Sequence, residues 1–95
     1  MLSGKTEPGR WWILVEENLN KNRWRVSHRE AAGDDPEQAV ARARQLAREF
    51  RPANPYSIRG RQAFELSEHS WLVLVRGAVT EYQFRVSLGE LLASD

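Results

Sequence analysis

The chain of 95 residues contains no cysteine. Disulfides, thiolate zinc sites, iron–sulfur clusters and thiol nucleophiles are therefore excluded. No apolar run approaches the roughly 20 residues that a membrane-spanning helix needs, so we expect no membrane partner. Fourteen basic residues balance 13 acidic ones, which excludes a protein that coats polyanions or carries an acidic tail.

The chain does contain enough apolar surface for one compact core. Hydrophobic residues make up 41% of it and include four Trp, three Phe and two Tyr. Single domains usually run to about 100–150 residues, so we expect one domain over residues 10–95. Residues 1–9 are polar and lack the apolar stretch of a secretory signal. They are interpreted as a flexible lead to a cytoplasmic protein.

A hairpin and a helix are predicted in the first half. Residues 11–17 are rich in β-branched and aromatic residues, residues 23–30 alternate apolar and polar side chains, and the Asn-rich residues 18–22 suit the turn. A helix follows, because Asp35 can cap it and Pro36 suits its first position. Its apolar stripe consists of Ala39, Val40, Ala43, Leu46, Ala47 and Phe50.

Three further strands are predicted in the second half. They cover residues 56–66, 71–76 and 82–87. Gly60 is read as a bulge in the first of them. A Ser-x-x-Glu pattern at residues 87–90 predicts one or two helical turns in the tail. From this ββα-βββ-α order we expect a two-layer α+β fold, with one long helix on one face of a five-stranded, mainly antiparallel sheet.

A shift of 60 residues aligns residues 11–30 with residues 71–90 without a gap. The identical pairs are Trp11/Trp71, Leu14/Leu74, Val15/Val75, Arg25/Arg85, Val26/Val86, Ser27/Ser87 and Glu30/Glu90. Agreement position by position favours an internal duplication of one hairpin over two hairpins of similar composition. Arg25 and Arg85 should then occupy equivalent places on the sheet.

Alternation divides the strand residues between two faces. The predicted inner face, under the helix, comprises Trp11, Ile13, Val15, Trp24, Val26, Tyr56, Ile58, Phe64, Leu66, Trp71, Val73, Val75, Tyr82, Phe84 and Val86. The predicted outer face comprises Trp12, Leu14, Arg25, Leu72, Leu74 and Arg85. A water-facing surface should be polar at such positions, so we expect a cover. That cover is a second copy or another protein, a ligand, or the chain's own tail with Leu88, Leu91 and Leu92 together with a folded-back N-terminus.

Arginine is concentrated between residues 42 and 61. This stretch holds Arg42, Arg44, Arg48, Arg51, Arg59 and Arg61. Glu49 is its only acidic residue, which leaves a local excess of five positive charges. The candidates for phosphate or nucleic-acid contact are Arg44, Arg48, Arg51, Arg59 and Arg61. We term these five residues the arginine ridge. The alternative interpretation is a solvated helix face, because no stacking-aromatic motif or recognition helix accompanies the arginine ridge.

The sequence contains no pattern typical of an enzyme. His28 and His69 are its only imidazoles, and neither has other metal ligands at a typical spacing. The sequence also contains no phosphate-binding glycine loop. We therefore expect no catalytic residue, cofactor or metal. The predicted function is a small protein-interaction module of the regulator, adaptor or antidote type, which forms a homodimer through the outer face. A nucleic-acid-binding domain that uses the arginine ridge is the alternative.

Overall fold

The computed structural model describes residues 9–20, 23–52 and 58–95. Within them the elements are β1 (Trp11–Asn20), β2 (Arg23–Gly33), α1 (Pro36–Glu49), β3 (Gly60–Ser67), β4 (Ser70–Arg76) and β5 (Glu81–Glu90). The strands form one antiparallel sheet in the order β2-β1-β5-β4-β3. Helix α1 packs on one face of it. The two-layer α+β prediction is confirmed.

The first and last strands of the chain meet inside the sheet. β1 pairs with β5 from Trp11↔Glu90 to Glu17↔Phe84. This pairing places the β1–β2 hairpin beside the β4–β5 hairpin and leaves β2 and β3 at the edges. The sheet is therefore continuous only because segments more than 60 residues apart in sequence hydrogen-bond to each other.

Helix α1 begins where the sequence predicts. Asp35 Oδ1 accepts a hydrogen bond from the backbone N–H of Glu37 at 3.0 Å, and Pro36 occupies the first turn. Gly33, at the end of β2, has a φ of +83°, a conformation that a glycine adopts without strain and that directs the chain into the cap. The helix buries Ala39, Ala43, Leu46 and Ala47. These mostly small side chains allow α1 to lie close to the sheet.

The core lies between α1 and the sheet face beneath it, which we term the helix face. Alternate residues of β1, β4 and β5 point into this core, as the two-residue period of a strand requires. The buried hydrophobic strand residues are Ile13, Val15, Trp71, Val73, Val75, Phe84, Val86 and Leu88. Phe50, at the end of α1, packs on Phe84 with ring centroids 5.3 Å apart. Leu88 thus belongs to the core and does not cover the outer face.

A bulge in β2 reverses the predicted phase of that strand. The pairing passes from Val15↔His28 to Glu16↔Val26. Ser27 is the extra residue between the two pairs. Beyond such a bulge, every side chain points to the opposite face from the one that simple alternation predicts.

Three residues before the bulge consequently lie on the face opposite to the predicted one. Trp24 and Val26 pair with Asn18 and Glu16 and belong to the outer face, so their placement under the helix was wrong. Arg25 lies across from the buried Glu17, on the helix side. The prediction that Arg25 lies on the outer face was therefore also wrong.

β3 is likewise one residue out of the predicted phase. Glu65 lies opposite the buried Trp71, which places Glu65 on the helix face. Phe64 lies opposite Leu72 on the outer face. Phe64 is 44% exposed and Leu66 64% exposed, so the prediction that both belong to the core was wrong.

Two local predictions also fail in the second half. Gly60 is not a bulge, since it pairs with Arg76 in regular register at the start of β3. Residues 87–90 are not helical, because Ser87 to Glu90 continue the ladder of β5 on β1. Ladder hydrogen bonds to a neighbouring strand outweigh a local capping pattern here. Tyr56, which was predicted to lie on the inner face, is outside the described residues.

The two hairpins pair differently. Val75 lies opposite Tyr82, seven residues later, whereas its counterpart Val15 pairs 13 residues later. Arg85 therefore lies on the outer face and Arg25 on the helix side, and their expected equivalence was wrong. The duplication of the hairpin sequence stays a prediction.

Candidate interaction surface

The outer face has no covering layer of helix or strand in the ranges that the structure describes. The large apolar side chains on it are Trp12, Leu14, Trp24, Val26, Phe64, Leu72 and Leu74. Trp12, Leu14, Leu72 and Leu74, which the sequence placed here, are half-buried. Arg85 also lies where it was predicted.

Strand β5 divides these side chains into two apolar stripes. Its outward residues are polar or small and comprise Gln83, Arg85, Ser87 and Gly89. One stripe, on β1 and β2, comprises Trp12, Leu14, Trp24 and Val26. The other stripe, on β4 and β3, comprises Leu72, Leu74 and Phe64. Glu16, Asn18 and Arg29 also lie on the β1–β2 side of this face, and Gln62 lies on the β4–β3 side, so the apolar side chains form one patch on each side of β5.

One row of paired residues crosses all five strands at the centre of this face. Its order is Val26, Glu16, Arg85, Leu72 and Phe64. An opposite-charge pair thus lies inside an apolar row, with Val26 on one side and Leu72 and Phe64 on the other. Cross-strand neighbours in such a row are about 4.5–5.5 Å apart and are in contact.

Arg85 is held by two contacts. Its Nε donates a hydrogen bond to Glu16 Oε1 at 2.8 Å. Its guanidinium lies 4.2 Å from the centre of the Trp24 ring. A planar guanidinium that pairs and stacks at once has little rotational freedom left. An ordered arginine beside a tryptophan in an apolar surface is typical of the residues that dominate binding energy at protein interfaces.

Sequence reasoning missed Glu16, Trp24 and Phe64 as members of this surface. A signal for Trp24 was present. The alternate positions 24 and 26 hold Trp24 and Val26, whereas the next two, 28 and 30, hold His28 and Glu30. One side of the predicted strand thus changes from apolar to polar. A phase change of this kind is what a bulge produces.

A cavity of about 350 Å³ opens at one end of the outer face. Trp12, Leu14 and Gly89 line it together with Arg29 and the tail residues that follow β5. Gly89 lies opposite Trp12, and the space where its Cβ would be is open. Leu92 is 97% exposed. The tail therefore borders the Trp12 end of this face and does not reach the stripe on β4 and β3.

Two members of the arginine ridge are bound within the chain. Arg44 donates two hydrogen bonds to the carboxylate of Glu65, at 2.8 and 3.1 Å. Arg61 donates to the carbonyl oxygens of Ala47 and Phe50, at 3.1 and 2.7 Å, and so closes the C-terminal end of α1. Both interactions fasten the helix to β3.

These contacts change the protonation chemistry of the groups involved. The hydrogen bonds from Arg44, and next from the Trp71 indole at 2.7 Å, lower the pKa of Glu65 to about 2. Burial lowers the pKa of Arg61. At the opposite edge, Arg42 donates to both oxygens of Glu30, at 2.6 and 3.0 Å, and this lowers the pKa of Glu30.

Three ridge residues remain exposed around the end of α1. They are Arg48, Arg51 and Arg59. Among the described residues, no ion pair joins their side chains to a carboxylate. The surface available for phosphate is therefore smaller than the predicted ridge.

No group of three or more metal-ligating side chains occurs in the described ranges. In the same ranges, no helix has the length and apolar character needed to cross a membrane. Comparison of the chain with protein-family models, curated proteins and solved structures finds no match in any of the three. The interpretation of the outer face therefore rests on its chemistry and geometry.

Proposed function

We propose that the protein is a small interaction module that forms a homodimer through the outer face of its sheet. The observation that carries this proposal is the unequal cover of the two faces. Helix α1 buries one face, whereas the other carries two apolar stripes around a fixed arginine. Contiguous exposed apolar surface on a small protein usually marks a contact site.

The dimensions of the face suit a dimer. Five strands about 4.8 Å apart, each with about seven residues of about 3.3 Å rise, span roughly 24 by 23 Å. A standard interface buries about 800 Å² of accessible surface on each partner. A corrugated face of this size supplies an area of that order. Two such sheets pack face to face at about 10 Å, as in a β-sandwich.

The arrangement of the stripes favours a second copy as the partner. A twofold axis along β5 brings the β1–β2 side of one copy to the β4–β3 side of the other, which is the relation of an isologous dimer, and sets Val26 of one copy over Phe64 of the other. Arg85 leans away from that axis, across Glu16 to Trp24, so the two arginines point in opposite directions. Each is already neutralised within its own chain, and neither brings an unpaired charge into the contact.

Sedimentation equilibrium from one to several hundred micromolar tests the proposal. The weight-average mass should rise with concentration above the 11.0 kDa of the monomer. Leu72→Glu places a charge in the contact and should lower this mass at every concentration. Ala41→Glu, at an exposed position on α1, should leave it unchanged. A wild-type chain that stays at 11.0 kDa throughout, or equal behaviour of the two variants, overturns the proposal.

A second candidate is nucleic-acid binding by Arg48, Arg51 and Arg59. The observation that favours it is the exposure of these three arginines without an acidic partner among the described residues. It ranks second because Arg44 and Arg61 already have partners within the chain. Binding of duplex and single strands at 50 and 200 mM salt tests it. Binding that is lost at the higher salt and in Arg48→Ala supports it, and no binding at the lower salt excludes it.

A further inference from the structure

β3 is an open edge of the sheet. Within the described part of the chain it pairs only with β4, and it does so without a bulge from Gly60 to Glu65. β2, the other edge, is interrupted by its bulge at Ser27. Natural sheets use bulges to prevent an edge from accepting another strand. β3 therefore has the regular backbone that accepts a strand, and β2 does not.

We propose that β3 pairs antiparallel with β3 of a second copy, about a twofold axis at Ala63, to form a continuous ten-stranded sheet. In this register Arg61 of each copy lies opposite Glu65 of the other. Opposite charges at directly paired positions stabilise an antiparallel ladder, and like charges destabilise it. The charge pattern of β3 is thus complementary to itself.

Neighbouring registers lose the pairing of Arg61 with Glu65. A twofold axis at Arg61 sets the two arginines against each other, and an axis at Glu65 does the same to the two glutamates. An axis at Phe64 sets Arg61 opposite Ser67, and the charge pairing is lost. An axis at Gln62 sets Glu65 opposite Arg59, which precedes β3, and leaves Arg61 opposite Ala63. Only the axis at Ala63 pairs opposite charges that both lie within β3, and this is how charge favours that register.

The free side of β3 leaves room for the second strand, since no strand of the described residues lies beyond it. Ala63 is exposed and lines an open crevice of about 560 Å³ between α1 and β3. Arg61 and Glu65 keep their hydrogen bonds to α1, since new backbone pairing occurs on the free side of β3. Strand addition to an open edge is an established mode of protein recognition.

This edge contact does not rest on the proposed dimerisation through the outer face. Its twofold axis is perpendicular to the sheet, whereas the axis of the face-to-face dimer lies parallel to it. The two contacts use different surfaces, the open edge at β3 and the outer face of the sheet.

Disulfide trapping tests the edge contact, and the chain offers a clean background because it has no cysteine. In Ala63→Cys the two thiols lie directly opposite, with Cα atoms about 4.5–5.5 Å apart, inside the range for a disulfide. In Gln62→Cys the equivalent atoms are about 8 Å apart, beyond that range. Ala78→Cys, in the exposed turn before β5, reports random collision.

Under mild oxidation at tens of micromolar, Ala63→Cys should form a covalent dimer at least about tenfold faster than Ala78→Cys or Gln62→Cys. A mixture of Gln62→Cys with Phe64→Cys should cross-link efficiently. Ala63 lies on the helix side, so dimerisation through the outer face does not bring two copies of it together. The Ala63→Cys cross-link should therefore persist when Trp12→Ala is added. A rate for Ala63→Cys equal to that of Ala78→Cys overturns the edge contact, and a faster rate for Gln62→Cys alone overturns its register.

Discussion

The two faces of the sheet are formed by the same strands and are both apolar, yet they differ in composition and cover. On the helix face, Ile13, Val15, Val73, Val75 and Val86 are fully buried under the alanines of α1. On the outer face, larger side chains are half-buried or exposed around Arg85. Compact β-branched side chains suit packing against a helix, whereas tryptophan and arginine are enriched at protein contacts. An apolar face on its own does not distinguish a core from a contact surface.

The two phenylalanines of the sheet provide the sharpest test of this difference. Phe84→Ala, in the core, should lower the free energy of unfolding by about 3–5 kcal/mol through lost burial and a cavity. Phe64→Ala removes the same atoms from a side chain that is 44% exposed and should lower it by less than about 1 kcal/mol. Urea unfolding of dilute protein measures both. Equal losses would mean that the outer face is a second core.

Two glycines extend the comparison to the backbone. Gly33→Ala keeps open space for the new methyl group but forces a side chain into a positive φ, so it should lower the free energy of unfolding by about 1–2 kcal/mol. Gly89→Ala, also facing open space but on extended strand backbone, should raise it by up to about 1 kcal/mol. Thermal unfolding of the two variants tests whether Gly33→Ala lowers the stability and Gly89→Ala raises it. A loss in Gly89→Ala would show that the outer face near Trp12 is closed in the monomer.

The ion pairs between α1 and the sheet predict an acid dependence that belongs to the helix face. The folded-state pKa of Glu65, about 2, lies below the ordinary value of 4.5 because Arg44 and Trp71 donate to its carboxylate. The stability from this group is complete above about pH 4.5 and is lost as the pH falls from there towards 2. Glu65→Gln should therefore flatten the decline in stability over that interval. Glu68→Gln, on the exposed β3–β4 turn, serves as the control, and the same flattening in it would contradict the account.

The sequence allowed the fold class to be predicted, because its local signals agree with the final structure. Asp35 and Pro36 mark the start of α1, and alternation of apolar residues marks the strands. The strand order was not predictable in this way, since the β1–β5 pairing joins the two ends of the chain. The phase of β2 failed at Ser27, because one extra residue reverses the face of everything before it.

The candidate surface was predicted only in part, because the bulge in β2 changes which residues of that strand lie on it. Trp12, Leu14, Leu72 and Leu74 lie in β1 and β4, the two strands whose alternation runs without interruption through these positions. Trp24 and its contact with Arg85 depend on the bulge and on strands that are distant in sequence, so only the folded sheet brings them together.

The dissociation constant of Trp12→Ala tests the central claim most directly, because Trp12 lies at the end of the β1–β2 stripe beside the open cavity. Sedimentation equilibrium should show that contact through the outer face weakens by at least roughly 30-fold, which corresponds to about 2 kcal/mol. The free energy of unfolding of the dilute variant should fall by much less than that of Phe84→Ala. Unchanged self-association together with a loss of stability as large as that of Phe84→Ala would contradict the assignment of the outer face as a contact surface.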